Sequence, residues 1–290
     1  MPKTLIAVSG KKGQVGNELV RLAGGYADRF EFIFTDSQEL DISNEDALAA
    51  FFAQYKPAYY INCAAYTAVD KAETDKDTAR KVNGHAVGLI AAQCNQYGTT
   101  LITISTDYVF NGKADRPYQP QDKTDPVNYY GHTKLEGEQL ALQNNAHTLV
   151  IRTSWVYSDH GQNFVKTMLR LMKEREEISV VNDQLGAPTY AADLAKTIMQ
   201  IVEAYQVGAV HYGIYHYSNK GLISWYDFAS AIRDLAGLSC AIHPVPTTSF
   251  PTPAKRPAYS AMDTTAIERD FSLVIPHWKE SLQACLGKLL

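Results

Sequence analysis

From residue 4 to residue 157 the chain alternates short apolar runs with stretches of helical periodicity, and this alternation constrains the fold most. Leu5-Ile6-Ala7-Val8, Phe30–Phe34, Tyr59–Ala65, Thr100–Ile104 and Leu149–Arg152 read as strands. Nearly continuous apolar runs of this length suit strands buried on both faces of a parallel sheet. Between them, Glu18–Leu22, Glu45–Tyr55, Thr78–Tyr97 and a segment from Tyr130 to about Gln143 carry helical patterns, with Ser43 as the expected N-cap of the second. Strand–helix alternation of this kind specifies an α/β fold, a Rossmann-like doubly wound parallel sheet. After residue 157 the pattern loosens into Asn163–Glu176, Ile178–Val181, Asp193–Tyr205, Gly213–Tyr217 and Trp225–Leu235. We expect a first domain over 1–157 and a smaller C-terminal α/β substrate-binding domain over 158–290, with segments of the second free to rejoin the first sheet. The five prolines between 244 and 257 predict a stiff loop serving as a lid or binding surface.

The first βα connection is Gly10-Lys11-Lys12-Gly13-Gln14-Val15-Gly16. Glycines there let the backbone turn tightly and approach a pyrophosphate, which sits on the helix N-terminus. Asp36 follows twenty residues after Gly16, where a dinucleotide fold places an acid on the adenosine ribose. Ser37 and Gln38 follow it instead of a cation suited to a 2′-phosphate, which leans towards NADH over NADPH. The small residues Ala64-Ala65-Tyr66-Thr67 end the third strand, and Ser105-Thr106-Asp107 the fourth. Carboxyl ends of strands are where open α/β sheets bind ligands.

Tyr130 and Lys134 stand four residues apart, on one face of a helix. A neighbouring ammonium favours ionisation of a phenol, so Tyr130 is expected to exchange a proton near neutral pH. Composition narrows the partners. A net charge of −4 gives no reason to expect a nucleic acid, and no apolar run is long enough to span a bilayer. The chain starts directly in a strand pattern, with too short an apolar region for a signal peptide. The four cysteines form no C-x-x-C and read as free thiols of a reducing cytoplasm.

Together, Gly10–Gly16, Asn62–Glu73, Ser105–Phe110, Tyr130-Gly-His-Thr-Lys134, Arg152–Tyr157, Asn182–Thr189 and Arg256–Ser260 resemble the extended short-chain dehydrogenase/reductase family. The likeness is strongest to its branch that reduces a 4-keto-6-deoxy sugar carried on dTDP, and it spans essentially the whole chain. The resemblance implies NADH or NADPH as hydride donor, Tyr130 as proton donor, Lys134 on the nicotinamide ribose and Thr106 on the sugar oxygen. Gly10, Gly13, Gln14, Val15, Gly16, Asp36, Asp41, Ile42, Ala64, Ala65, Tyr66 and Thr67 would line the cofactor with Tyr130 and Lys134. Asp107 and Trp155 would contact the dTDP-sugar, and Arg256 its diphosphate. A homodimer is compatible with the resemblance. Some family members carry magnesium at a dimer contact; Glu18 matches such a site but Ala192 stands where a second acid is needed, so no metal is expected. Cys63 replaces an expected alanine, and His132 is read as surface.

Three other readings compete. The first is a related sugar-nucleotide dehydratase or epimerase; dehydratases of the superfamily usually carry a second acid after Asp107, where this chain has Tyr108. A non-catalytic regulatory subunit could keep the fold and cofactor pocket without turnover. A reductase of another nucleotide sugar would look much the same.

Overall fold

The computed structural model describes residues 3–290. Its centre is a six-stranded, wholly parallel sheet. The strands are β1 (Thr4–Ser9), β2 (Phe30–Thr35), β3 (Tyr59–Asn62), β4 (Thr100–Thr106), β5 (Thr148–Thr153) and β6 (Gly213–His216), in the order β6-β5-β4-β3-β1-β2. The order reverses between β1 and β3, and the crevice outside their carboxyl ends is the ligand position of such sheets. Ile6, Val8, Ile61, Ile102, Leu149 and Ile151 are buried with no more than 1% exposure, as expected for strands covered on both faces.

Helices α1 (Gln14–Ala23) and the later Ala191–Gln206 cover one face; Leu19, Leu194, Ile198 and Val202 pack there against Val8, Ile61 and Ile151. Residues 191–216 and the helix Thr265–Phe271 thus share the core of the N-terminal sheet, although they come late in the chain. The other face carries α2 (Glu45–Tyr55), α3 (Ala86–Tyr97) and α4 (Tyr129–Asn144). A second apolar core joins the helices Phe164–Glu174, Trp225–Leu235 and Trp278–Leu286 to the strand pair Glu177–Val181 and Ala241–Val245.

Several local expectations are corrected. The N-cap of α2 is Asn44, whose side chain accepts from Ala47 N; the Ser43 hydroxyl donates to Asp41 instead. The stretch read as one helix over 78–97 is broken by a π-turn at Lys81–His85. Strand β3 stops at Asn62 because that side chain leaves the ladder, accepting from Ser9 Oγ and Ala64 N. The proline-rich segment starts as part of the strand Ala241–Val245 before turning irregular, and the helices at 265–271 and 278–286 had no sequence counterpart.

Candidate active site

Two glycines fix the shape of the first connection. Gly10 has φ +81°, and a Cβ there would fall 2.6 Å from Ala64 N; a Cβ at Gly16 would meet Gly10 O at 2.2 Å. Any larger residue would push apart the ends of β1 and β3 or lift α1 off the turn. The N-cap Gly13 brings no side chain to the first amides of α1, which leaves them open to an anion. Gln14 ties this turn to the far side of the cleft, donating to Val156 O and accepting from Asn163.

A cleft of about 550 Å³ runs along the carboxyl ends of the strands. It brings together Gly13, Gln14, Val15, Ala64, Ala65, Thr67, Thr106, Asp107, Tyr130, Lys134 and Trp155, residues that lie up to 142 positions apart. It continues into a hollow of about 350 Å³ lined by Gly10, Asp36, Asp41, Ile42 and Tyr66. Gly16 lines neither and acts through its contact with Gly10. Arg256 also stands apart. It is paired with Asp70 at 2.8 Å and lines a neighbouring groove with Phe164, Phe250 and Trp225, which the cleft shares. His132 is exposed, as expected.

At the base of the cleft, Asn128 caps α4 by accepting from Gly131 N, and so aims Tyr130 inwards. The Tyr108 ring stands edge-on to Tyr130, 5.8 Å between centroids. Desolvation pushes the Tyr130 phenol above its ordinary range, with the nearby Asp107 adding to this and Thr106 opposing it. The expectation that Lys134 lowers the phenol's pKa is therefore corrected. Lys134 is buried, its Nζ donates to Ile104 O at 2.7 Å, and burial brings the ammonium down to about 8 while Glu138 pulls it back up. Tyr130 is thus held as a neutral phenol. One turn beyond Lys134 on α4, Glu138 forms a fully buried ion pair with Arg152, 2.6 Å, and also accepts from Ser105.

The π-turn has a structural use. Asn83 within it bonds both the N–H and the C=O of Tyr66 and donates to Thr133, which in turn donates to Tyr130 O. One side chain thereby connects the cofactor-side turn to α4. On the opposite wall Trp155 sits at φ +48°, a costly conformation for a bulky residue, and stacks on Trp225 at 3.6 Å and 11°. Gly186 leaves the space behind Trp155, since a Cβ there would come 2.8 Å from the ring.

Among the lining residues to which sequence reasoning gave no role, three stand out. Trp225 opens a helix capped by Ser224, and a large aromatic next to a capping box was a usable signal. Tyr108 was quoted only as part of a motif. Lys12 reaches across to Asp36 at 2.6 Å with its side chain 68% exposed, and depresses that carboxyl; its proximity depends on the turn's path and left no local signal.

The family described as the RmlD substrate binding domain matches residues 4–290. The chain belongs to that family. The dTDP-4-dehydrorhamnose reductase of Escherichia coli (strain K12) is 40% identical, over 98% of this chain and 97% of its own. Among solved structures, the dTDP-4-dehydrorhamnose reductase of Clostridium acetobutylicum superposes with a TM-score of 0.93 at 40% identity, covering 99% of both chains. That of Bacillus anthracis, in complex with NADP, gives 0.94 at 36% identity and covers 99% of this chain and 100% of its own. The RmlD family thus accounts for the whole described length, the C-terminal segments included.

Proposed function

We propose that this chain reduces the C4 ketone of dTDP-4-dehydro-L-rhamnose, giving dTDP-L-rhamnose in the last step of its biosynthesis, with NADH or NADPH. The observation that carries the reading is the meeting of Tyr130, Lys134 and Thr106 in one cleft with the glycine turn. Membership of a family whose relatives are named for this reduction supports the substrate. The cradle formed at Gly10 and the open amides of α1 fit a dinucleotide pyrophosphate. Asp36 would take the adenosine ribose, and Asp41, Ile42 and Ala64–Thr67 would flank the adenine side.

When bound, the reduced nicotinamide supplies the hydride taken up by the ketone carbon. Tyr130 gives its proton to the oxygen as negative charge develops there, which its raised pKa favours by keeping the phenol protonated. Lys134, fixed by Ile104 O, presents its charge to the nicotinamide ribose. Thr106 lies beside Tyr130 and orients the ketone. Trp155, with Trp225 behind it, would close over the sugar nucleotide. Residues 158–290 chiefly supply this substrate side, and Arg256 would have to leave Asp70 to hold the diphosphate.

For the coenzyme, the acid at Asp36 favours ribose hydroxyls, whereas Lys12 beside it can receive a 2′-phosphate. We read the site as accepting both. The deciding experiment starts from dTDP-glucose, generates the 4-keto sugar enzymatically and follows nicotinamide absorbance with product identification. dTDP-rhamnose as the product bears the reading out. A different deoxysugar would reassign the substrate, and no turnover would favour a regulatory subunit.

A further inference from the structure

Thr106 Oγ1 has one proton and two lone pairs. One lone pair accepts from Tyr108 N at 3.2 Å, and Asp107 Oδ1 lies 2.9 Å away. If Asp107 is a carboxylate it can only accept, so it takes the Thr106 proton. The hydroxyl then offers Tyr130 and the cleft a lone pair alone. If Asp107 is protonated it donates to Thr106, and the Thr106 proton is released towards the cleft. A ketone oxygen gaining negative charge needs donors, so the two arrangements differ in whether Thr106 assists the reaction.

The surroundings of Asp107 favour the second arrangement. The residue is 3% exposed, and its Oδ2 is buried without a hydrogen-bond partner. The ionisable groups facing it are the Tyr108 phenol on its own turn and Tyr130 on α4. From the C-terminal segment it meets Ser260, which is neutral, while Arg256 and Asp70 act on Tyr108. With no adjacent cation to compensate it, burial pushes the carboxyl up to about 7, against the Thr106 and Ser260 hydroxyls that favour its ionised form.

We propose that Asp107 is a positioning acid: protonated, it donates to Thr106 Oγ1 and turns the Thr106 hydroxyl proton onto the ketone oxygen, beside the Tyr130 phenol. The inference rests on the reductase reading given above. No proton is consumed at Asp107; Tyr130 supplies the one that is transferred.

The test is the pH profile of kcat/KM on dTDP-4-dehydro-L-rhamnose for the full chain, with melting temperature and coenzyme titration as folding controls. Wild type should lose activity as pH rises through about 7, where Asp107 ionises. In D107N the amide donates at every pH, so the fall should move up to about 8, where Lys134 loses its charge. D107N should lose about threefold in kcat at low pH, the scale of one weakened neutral hydrogen bond. D107L, which cannot donate, should lose about a hundredfold, the scale of a missing oxyanion donor. A D107N profile that falls where wild type does, or D107N as impaired as D107L, overturns the inference. Should D107N not fold, Thr106→Val decides. Its residual activity should lack the fall near 7 because no hydroxyl remains to direct, and persistence of that fall overturns the proposal. A wild-type chain that does not reduce the sugar nucleotide overturns the reductase reading and this inference together.

Discussion

The ion pair between Glu138 and Arg152 lies one helical turn beyond Lys134, and cutting it from either side should be costly. Both side chains are 2% exposed. Glu138 accepts from Arg152 Nε at 2.9 Å and Nη2 at 2.6 Å, and also from the Ser105 hydroxyl. Arg152 further donates to Pro120 O and lies over the Phe110 ring at 5.0 Å. Removing one partner leaves a charge without water or counter-ion, which costs about 3–5 kcal/mol. Glu138→Leu should fall at the lower end, because Pro120 and Phe110 still serve the guanidinium. Arg152→Met should fall at the upper end, with only Ser105 and the more distant Lys134 left for the carboxylate. At roughly 2–4 °C per kcal/mol for a large domain, the melting temperature should drop by about 6–20 °C. The double variant Glu138→Leu/Arg152→Met removes both charges at once and should recover most of the loss, with a coupling energy above about 2 kcal/mol. Calorimetric and urea unfolding of the four proteins measures that coupling. Additive losses in the double variant would refute the argument that the pair is stabilised chiefly by mutual neutralisation. Activity supplies a second readout. Glu138 raises the Lys134 pKa against burial, so without it Lys134 loses its charge at lower pH, and the alkaline loss of kcat should begin earlier.

Tyr130→Phe should lower kcat by about a hundredfold or more while NADPH still binds, as followed by fluorescence titration; full activity would require another proton donor. Lys12→Ala should lower kcat/KM for NADPH about tenfold and that for NADH less than threefold, the difference being one charge-assisted contact to the 2′-phosphate. Equal effects on both coenzymes would assign Lys12 merely to holding Asp36. Trp225→Ala removes the ring on which Trp155 stacks and should raise KM for the sugar nucleotide about tenfold, with kcat changed far less; a loss confined to kcat would contradict a role in substrate binding.

Much of the fold was legible because its strands are buried on both faces. Leu5–Val8, Phe30–Phe34 and Leu149–Arg152 are short apolar runs with few competing interpretations, and the structure adds at most a residue or two to each end. Helices with a breaker two residues past their end, Glu45–Tyr55 before Pro57 and Trp225–Leu235 before Gly237, were read to the residue. The failures occur where a side chain overrides the local pattern. Asn62 ends β3 early by bonding Ser9 and Ala64, and Asn83 gives up helical regularity for the Tyr66 backbone. Neither choice has a sequence signature, because each partner is supplied by a distant segment. The helices at 265–271 and 278–286 are seven and nine residues long and depend on packing rather than propensity.

For the site, residue type and spacing picked out side chains that the fold brings into one cleft, but not the electrostatics around them. Four-residue spacing put Tyr130 and Lys134 on one helix face, and from it followed a phenol whose pKa Lys134 lowers. The structure gives other neighbours for reasons invisible at the level of spacing: Lys134 is held by Ile104 O, and the groups that act on Tyr130 are Asp107 and Thr106. A reductase gains from this arrangement. It needs a protonated phenol in the resting cleft and a charge that appears only on the substrate oxygen, and a Tyr130 already ionised could not donate. The same logic extends to Asp107, which the sequence suggests as a substrate contact and which lines the cleft at 3% exposure with one carboxyl oxygen beside the Thr106 hydroxyl. On the proposal above, that carboxyl acts on the reaction through the hydroxyl beside it, so its protonation state is a property on which activity should depend.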